Sequence, residues 1–352
     1  MDIDVYTCEQ CGGDMIFDIK VQALKCPYCE HVCEIGGQEQ VKEYNFSEVS
    51  QLEFKSNWND EVEVINCESC GAQTVIGRDQ TAICCSYCGS SHVLKTKQSA
   101  GIKPEGVIPF KIETYQAQDI MQTWFKKRWL APNNLKLLYQ SEKMTGVYVP
   151  YWTYDADTFS TYSGQGGRYY YETREVNGKR QQIRKVRWYP VKGQINRFFD
   201  DVLVNGSKHF NDSLMNGIEP FNTVTDLEAY APQYLAGYVA EKYSYGVKES
   251  FEVAKQKMNS EIENDAEEEI LSRYDTVRRV SVKTQYHHVT FKHVLLPVYH
   301  ATYTYQGKNY EYMINGESGK ISGTYPYSWV KITFLVLIGV AGLILIMYVM
   351  NH

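Results

Sequence analysis

The spacing of eight cysteines constrains this chain more than any other feature. Cys8 and Cys11 form one CxxC pair, and Cys26 and Cys29 form a second pair after fourteen intervening residues. The same pattern returns with every position moved by 59 residues, at Cys67, Cys70, Cys85 and Cys88. A CxxC turn directs two thiolates at one point, so two such turns complete a tetrahedral shell of four sulfurs. The sequence therefore predicts two zinc ribbons that arose by internal duplication.

Zinc is favoured over the other chemistries that cysteine pairs serve. Iron–sulfur proteins usually cluster their ligands differently, and a redox CxxC needs only one pair on a thioredoxin-like unit. Disulfides are disfavoured because the first thirty residues contain no secretory signal. Four thiolates leave no open coordination position, so we expect two structural Zn²⁺ ions per chain. Cys33 and Cys84 fall outside the repeat and are interpreted as packed or idle thiols.

The second constraint lies near the other end of the chain. Ile332–Met350 is a run of 19 residues without a charge. At 1.5 Å per residue this run measures about 28 Å, close to the hydrocarbon thickness of a bilayer. Lys308, Lys320 and Lys331 precede it, and only two residues follow. We expect a single-pass, tail-anchored protein of the cell membrane, with residues 329–350 as the transmembrane helix and the N-terminal bulk in the cytoplasm. A buried core helix is the alternative.

Charge decides how the ribbons are used. Residues 1–100 contain seven Lys and Arg against sixteen Asp and Glu, for a local net charge of −9. Two Zn²⁺ ions with eight thiolates add a further −4. Zinc ribbons that bind nucleic acid present Lys and Arg to phosphate, and these ribbons present the opposite sign. We therefore expect protein docking and regard nucleic acid as an unlikely partner.

The remaining sequence predicts an α+β fold. The expected organisation is ribbon 1 at 1–36, a linker at 37–62, ribbon 2 at 63–97, a linker at 98–106 and a β-rich α+β domain at 107–326. An apolar stripe predicts a helix over 114–130, and further helices are expected near 207–217 and 246–274. Tyr-rich alternating segments predict the strands. Asn177-Gly178 predicts a hairpin turn, and the glycine cluster SGQGG at 163–167 predicts another turn.

One segment is basic in an otherwise acidic chain. Between residues 168 and 192 the local charge is +6, and Tyr and Trp are interleaved with the basic residues. The basic residues are Arg168, Arg174, Lys179, Arg180, Arg184, Lys185, Arg187 and Lys192. On strands, such residues could contact anionic lipid headgroups or an acidic protein surface. Single-stranded nucleic acid is the less favoured alternative.

Catalytic motifs are not found. The string NGESGKIS at 315–322 lacks the spacing of a phosphate-binding loop and predicts a turn. His287, His288, His293 and His300 fall on predicted strands, where alternate residues point to opposite faces, so a shared metal site is disfavoured. There is no HExxH or GxSxG motif. We therefore expect no enzymatic activity.

Several segments carry a family resemblance. Besides the paired ribbons they are EGVIPFKI at 105–112, WFKKRWLAP at 124–132, GVYVPYWTYDA at 146–156, LLPVY at 295–299 and NGESGKISG at 315–323. They resemble bacterial proteins described as transcription-factor-IIB-type zinc ribbon-containing, some of which are labelled primosomal-N′-like or phage replisome organiser. The resemblance implies a membrane-associated protein with SPFH/flotillin-like and phage-shock-protein-A-like partners. The replication label rests on the ribbons, because this sequence lacks a helicase motor.

Together these features predict a membrane scaffold or adaptor. Its cytosolic ribbons would recruit soluble proteins to the inner face of the membrane, in membrane stress or organisation, and self-association is left open. The alternative hypothesis is a membrane-tethered, replication-related protein that binds nucleic acid through the basic segment.

Overall fold

A computed structural model describes most of the chain. The described residues are 6–36, 40–49, 63–67, 71–76, 93–96, 102–133, 135, 144–176 and 179–351. Three predicted ligands of the second ribbon, Cys70, Cys85 and Cys88, lie outside these ranges, as do Cys84 and the turn at 177–178. The second predicted zinc site is therefore outside the described residues.

The described residues form fifteen strands and four α-helices. The strands are β1 Ile16–Asp18, β2 Ala23–Lys25, β3 Val32–Cys33, β4 Tyr44–Asn45, β5 Glu63–Cys67, β6 Gln73–Ile76, β7 Val93–Thr96, β8 Gly106–Val107, β9 Thr145–Val176, β10 Lys179–Asn205, β11 Glu228–Ala229, β12 Val239–Glu241, β13 Thr276–Tyr305, β14 Lys308–Asn315 and β15 Ile321–Gly323. The helices are α1 Thr114–Lys126, α2 Asp212–Ile218, α3 Val247–Leu271 and α4 Trp329–Asn351. The predicted α+β class is confirmed.

Two sheets organise these strands. Strands β1, β2 and β3 form a small sheet in the first ribbon, and the other twelve described strands join in one large sheet. Three long antiparallel strands dominate the large sheet, with β9 between β10 and β13. At Val147 and Tyr148 of β9, the short strand β12 takes the place of β10 and pairs in parallel. Strands β5, β6 and β7, from the second ribbon segment, extend the sheet from β12.

The long strands contradict one turn prediction. The cluster SGQGG at 163–167 lies inside β9 and pairs with both neighbouring strands. A Cβ atom at Gly166 would lie 2.4 Å from the ring of Tyr274, and one at Gly164 would lie 3.1 Å from Ile270 Cδ1. These glycines allow the end of α3 and the residues after it to approach the strand closely. The prediction of a turn was wrong because close packing, rather than chain reversal, requires the glycines.

Two helices build the core against this sheet. The predicted apolar stripe of α1 is confirmed, since Ala117, Met121, Trp124 and Phe125 are buried. Helix α3 covers one face of the three long strands with buried residues at helical spacing. These residues are Val247, Phe251, Ala254, Met258, Ile262, Ala266 and Ile270. On the opposite face, α2 packs against the strands around Val149 and Leu296, and the part of that face beyond residue 156 of β9 is largely exposed.

The first ribbon is packed onto the body of the protein. Phe17 is only 4% exposed, and its ring meets that of Tyr234 with centroids 5.5 Å apart. The Phe17 N–H donates to Ala236 O at 3.0 Å, and Gln22 Nε2 donates to Phe110 O at 3.0 Å. The ribbon therefore shares its apolar core with the body and is held at a defined position on it.

Phe17→Ala is expected to loosen this contact. Truncation of a buried phenylalanine typically costs about 3 kcal/mol or more, and here the lost contact is the one between ribbon and body. Hydrogen exchange should show faster exchange of the Phe17 amide and its neighbours. Val21→Ala is the matched control, because Val21 lies on the same ribbon but is 49% exposed. Equal protection in the two variants would contradict the role assigned to Phe17.

Candidate metal centre and basic arm

The four cysteines of the first ribbon converge on one point. Their Sγ atoms all lie within 4.8 Å of one another. The Cys8–Cys29 and Cys11–Cys26 sulfur pairs are each separated by 3.4 Å. Zn–S bonds of about 2.3 Å place tetrahedral sulfurs about 3.8 Å apart, so these distances need only a small adjustment. The cluster could bind a metal ion and is compatible with a zinc ribbon.

The two CxxC turns have the same backbone geometry. Gly12 N–H donates to Cys8 O at 2.8 Å, and the corresponding bond from Glu30 N–H to Cys26 O measures 3.0 Å. Gly12 and Glu30 both have positive φ, at 71° and 61°. The residue after the second cysteine must adopt this left-handed conformation to direct both sulfurs inward, which explains the glycine of the first turn. The second turn adopts it without glycine.

Thiol ionisation in this cluster is strongly uneven. The backbone N–H groups of Cys29 and Tyr28 donate towards Cys26 Sγ and lower the pKa of its thiol to about 7. The pKa of Cys29 is raised to about 12, because burial and the neighbouring thiols, Cys11 foremost, outweigh the favourable His31 N–H. A cation at the centre would favour the thiolate form of all four residues. Metal binding at this cluster would therefore release protons.

Three aspartates form a second close group. Carboxylate oxygens of Asp155, Asp200 and Asp201 lie within 4.8 Å of one another. However, Lys292 Nζ lies 2.7 Å from Asp201 Oδ1 and 2.7 Å from Glu43 Oε1. Burial raises the pKa of Asp155 to about 6, although Asp201 N–H donates to its carboxylate. Because an ammonium group already supplies the positive charge, we interpret this group as an ion-pair cluster.

The histidines are placed separately. His293 is fully buried, its Nδ1 lies 2.9 Å from Ile102 O, and burial lowers its pKa to about 4. His288 is exposed and lies 2.9 Å from Asp157 Oδ2. Among the described residues, no histidine belongs to a group close enough to share a metal ion. Cys33, outside the repeat, is exposed and free.

The predicted basic segment forms a projecting hairpin. Strand β13 begins at Thr276, which pairs with Gly167 of β9. Beyond that point β9 and β10 continue alone as a two-stranded ribbon, residues 168–176 and 179–187, which we call the basic arm. The arm lies past the end of α3, so both of its faces are accessible. Lys192 lies outside the arm, opposite Ser163 in the three-stranded part of the sheet.

Strand pairing divides the basic residues between the two faces of the arm. One face has Arg180 and Arg184, and the other has Arg168, Arg174, Lys185 and Arg187. The side chain of Lys179 is outside the described part of the structure. Arg168 and Arg187 lie directly opposite each other, which is unfavourable for like charges. The structure therefore separates the predicted basic patch into two smaller ones.

Aromatic rings stack with the basic side chains on both faces. The guanidinium of Arg184 lies 4.4 Å from the ring centre of Tyr169, and that of Arg187 lies 5.3 Å from Tyr170. Arg278 stacks on Trp188 at 3.8 Å. No local motif marks Arg278, because the register with β13 brings it to Trp188 from 90 residues away along the chain.

The fold and the cysteine cluster define the class of this protein. It is an α+β protein with a four-cysteine cluster that could bind a metal ion and one C-terminal apolar helix that could cross a membrane. That helix contains Trp329–Met350, with a mean hydropathy of 2.8 and no part of it buried. The cluster and the helix lie towards opposite ends of the chain, and the large sheet lies between them in sequence.

The comparisons with known proteins identify its family. The chain is 30% identical over 332 residues to a Bacillus subtilis (strain 168) protein described as uncharacterized protein YdjG, and the match covers 93% of this chain and 91% of that protein. The chain therefore belongs to the same family as YdjG. No protein-family profile matches it, and no solved structure matches it.

Proposed function

We propose that the protein is a single-pass membrane scaffold whose ribbons recruit soluble proteins to the inner face of the membrane. The observation that carries this proposal is helix α4, whose run after Lys331 contains no charged residue and is not buried against the described body. At 1.5 Å per residue the 22 residues Trp329–Met350 measure about 33 Å, enough to cross a bilayer. Lys320 precedes the helix and Lys331 lies in its first turn, and both favour a cytoplasmic body.

The first ribbon offers a surface suited to docking. Tyr28, between the cysteines of the second CxxC turn, is 78% exposed, and Val21 and Val32 are exposed on the same ribbon. Residues 6–36 contain five Asp and Glu against two Lys. Exposed apolar side chains within an acidic surface favour a protein partner that presents apolar and basic residues. Four thiolates would hold a Zn²⁺ ion with no open position, so its role would be structural.

The partners implied by the family resemblance remain part of this proposal. The resemblance implies SPFH/flotillin-like and phage-shock-protein-A-like partners among membrane-stress components, which agrees with an anchored adaptor. We also propose that the metal is zinc, that each chain binds two ions and that the second cluster is formed by Cys67, Cys70, Cys85 and Cys88. The duplication of the ligand spacing supports them.

The rival function uses the basic arm to bind nucleic acid. Tyr171 on the arm is 65% exposed, and aromatic rings among basic residues are typical of single-strand binding. Yet Tyr169 and Tyr170 already stack with Arg184 and Arg187. A base could stack on those faces only by displacing the guanidinium groups. This competition favours a protein partner over nucleic acid for the arm.

Affinity capture of the full chain from a detergent extract separates the two functions. Nuclease treatment should leave the captured proteins in place, and Tyr28→Ala with Val32→Ala should lose them. The matched variant, Arg184→Ala with Lys185→Ala and Arg187→Ala, should retain them. The rival function predicts the opposite result. The captured material would then be lost after nuclease treatment and in the variant of the basic arm, and it would be kept in the Tyr28→Ala, Val32→Ala variant.

A further inference from the structure

The first turn of α4 is fastened to the loop that follows α1. Lys331 Nζ donates to Trp129 O at 2.8 Å, to Ala131 O at 2.7 Å and to Asn133 Oδ1 at 2.8 Å. Three acceptors satisfy all three ammonium protons. The last charged residue before the apolar run is therefore held by the body itself.

The same loop is firmly attached to the core. Trp124, in the last turn of α1, is buried, and the guanidinium of Arg128 lies 4.6 Å from its ring centre and 5.5 Å from that of Tyr325. Ser328 N–H donates to Leu130 O at 2.8 Å. The loop after α1 and the start of α4 are therefore joined by the bonds of both Ser328 and Lys331, so the position of one determines the position of the other.

This arrangement determines which part of the body meets the bilayer. With α4 across the membrane, the boundary between headgroups and hydrocarbon lies at Lys331, level with the loop. Trp129 in that loop is 60% exposed, and Lys126 and Lys127 just before it are exposed. Tryptophan is enriched at membrane interfaces, and lysine is attracted to anionic lipid.

We propose that Lys126, Lys127 and Trp129 form a binding site for the headgroups of anionic phospholipids. The lysines contact the phosphates, and the indole of Trp129 lies at the headgroup level. This inference rests on the proposed membrane span. With the span, it gives the body two points of attachment, so that the body keeps one orientation on the membrane instead of rotating about a single anchor.

The basic arm does not occupy an equivalent position. Tyr148 lies in the same core cluster as Trp124 and Phe125, and Arg168 follows it by 20 residues along β9. At about 3.3 Å per residue, the arm begins about 65 Å from that cluster, measured along the strand. The headgroup contact expected for the basic segment is therefore better assigned to the loop after α1.

The contact of Trp129 with lipid can be tested by fluorescence quenching. Full-length protein with Trp329→Phe is placed in phosphatidylcholine nanodiscs with or without bromine on the acyl chains near the headgroup. Brominated lipid should quench up to about one fifth of the emission, because Trp129 is one of five remaining tryptophans. A second variant, Trp129→Phe with Trp329→Phe, should lose this part of the quenching.

The role of the lysines requires a change of lipid charge. Adding phosphatidylglycerol should increase the quenching assigned to Trp129, and Lys126→Gln with Lys127→Gln should abolish the increase. Lys192→Gln with Lys283→Gln is the matched control, since both lysines are exposed on the long strands, and it should retain the increase.

The outcomes distinguish this inference from the proposed span. Protein that does not enter nanodiscs at all would refute the span. If the protein enters nanodiscs but the two tryptophan variants show equal quenching, the contact of Trp129 with lipid is refuted and the span is not. The anionic headgroup site would be refuted if phosphatidylglycerol does not change the quenching. It would also be refuted if the Lys126, Lys127 variant and the Lys192, Lys283 variant respond to phosphatidylglycerol equally.

Discussion

Cys26→Ser is expected to remove one zinc ion per chain and to unfold the first ribbon. Cys26 is fully buried, and its sulfur lies 3.4 Å from that of Cys11. Packing within the ribbon is limited, since the buried residues of its own core cluster are Met15, Leu24 and two of the cysteines. Structural zinc binding contributes about 10 kcal/mol or more in small domains, so loss of one ligand should be decisive.

Metal analysis of the purified full chain checks this result. The wild type should contain two zinc ions, and Cys26→Ser should contain one, with rapid hydrogen exchange over residues 6–36. Cys33→Ser is the control, because Cys33 is exposed and outside the cluster. It should keep both ions. Unchanged zinc content in Cys26→Ser would show that the cluster does not hold the metal.

Removal of residues 329–352 is expected to move the protein from the membrane to the soluble fraction. The apolar run contains twelve Leu, Ile, Val and Phe residues, whose insertion contributes about 5 kcal/mol in total. The body should remain folded, because no residue of this helix belongs to the buried core clusters of the described body. Centrifugation of the cell lysate gives the measurement.

Salt distinguishes the anchor from the weaker headgroup contact. The truncated protein keeps Lys126, Lys127 and Trp129, so a salt-sensitive fraction should remain on anionic membranes at low ionic strength. A high-salt wash should release it. Full-length protein with the arm triple substitution at Arg184, Lys185 and Arg187 should resist the same wash. Truncated protein that resists high salt would disprove anchoring by α4 alone.

The sequence was most informative where the controlling interactions are local. The apolar stripe predicts a helix over 114–130, and α1 begins at Thr114, buries that stripe and ends four residues earlier, at Lys126. The turn at Gln306-Gly307 between β13 and β14 is likewise local, since both residues have positive φ. In each case the residues that determine the conformation lie within one or two turns of chain.

Prediction was least successful along the long strands. The cluster at 163–167 contains the residues of a turn but lies in an uninterrupted strand, because Tyr274 and Ile270 pack onto its glycines. The basic segment was treated as one patch, and pairing of β9 with β10 assigns its members to opposite faces. Neither the approach of a distant ring nor the register of a partner strand can be read from the segment itself.

The amino-acid sequence alone determined the four-cysteine grouping and the apolar helix, because both follow from residue spacing and composition over short stretches. Tertiary structure decided where these features sit. Phe17 packs the ribbon against Tyr234, and Lys331 joins the start of α4 to Trp129, about 200 residues earlier in the chain. Such contacts depend on how the long sheet brings remote segments together, and no local pattern encodes that arrangement.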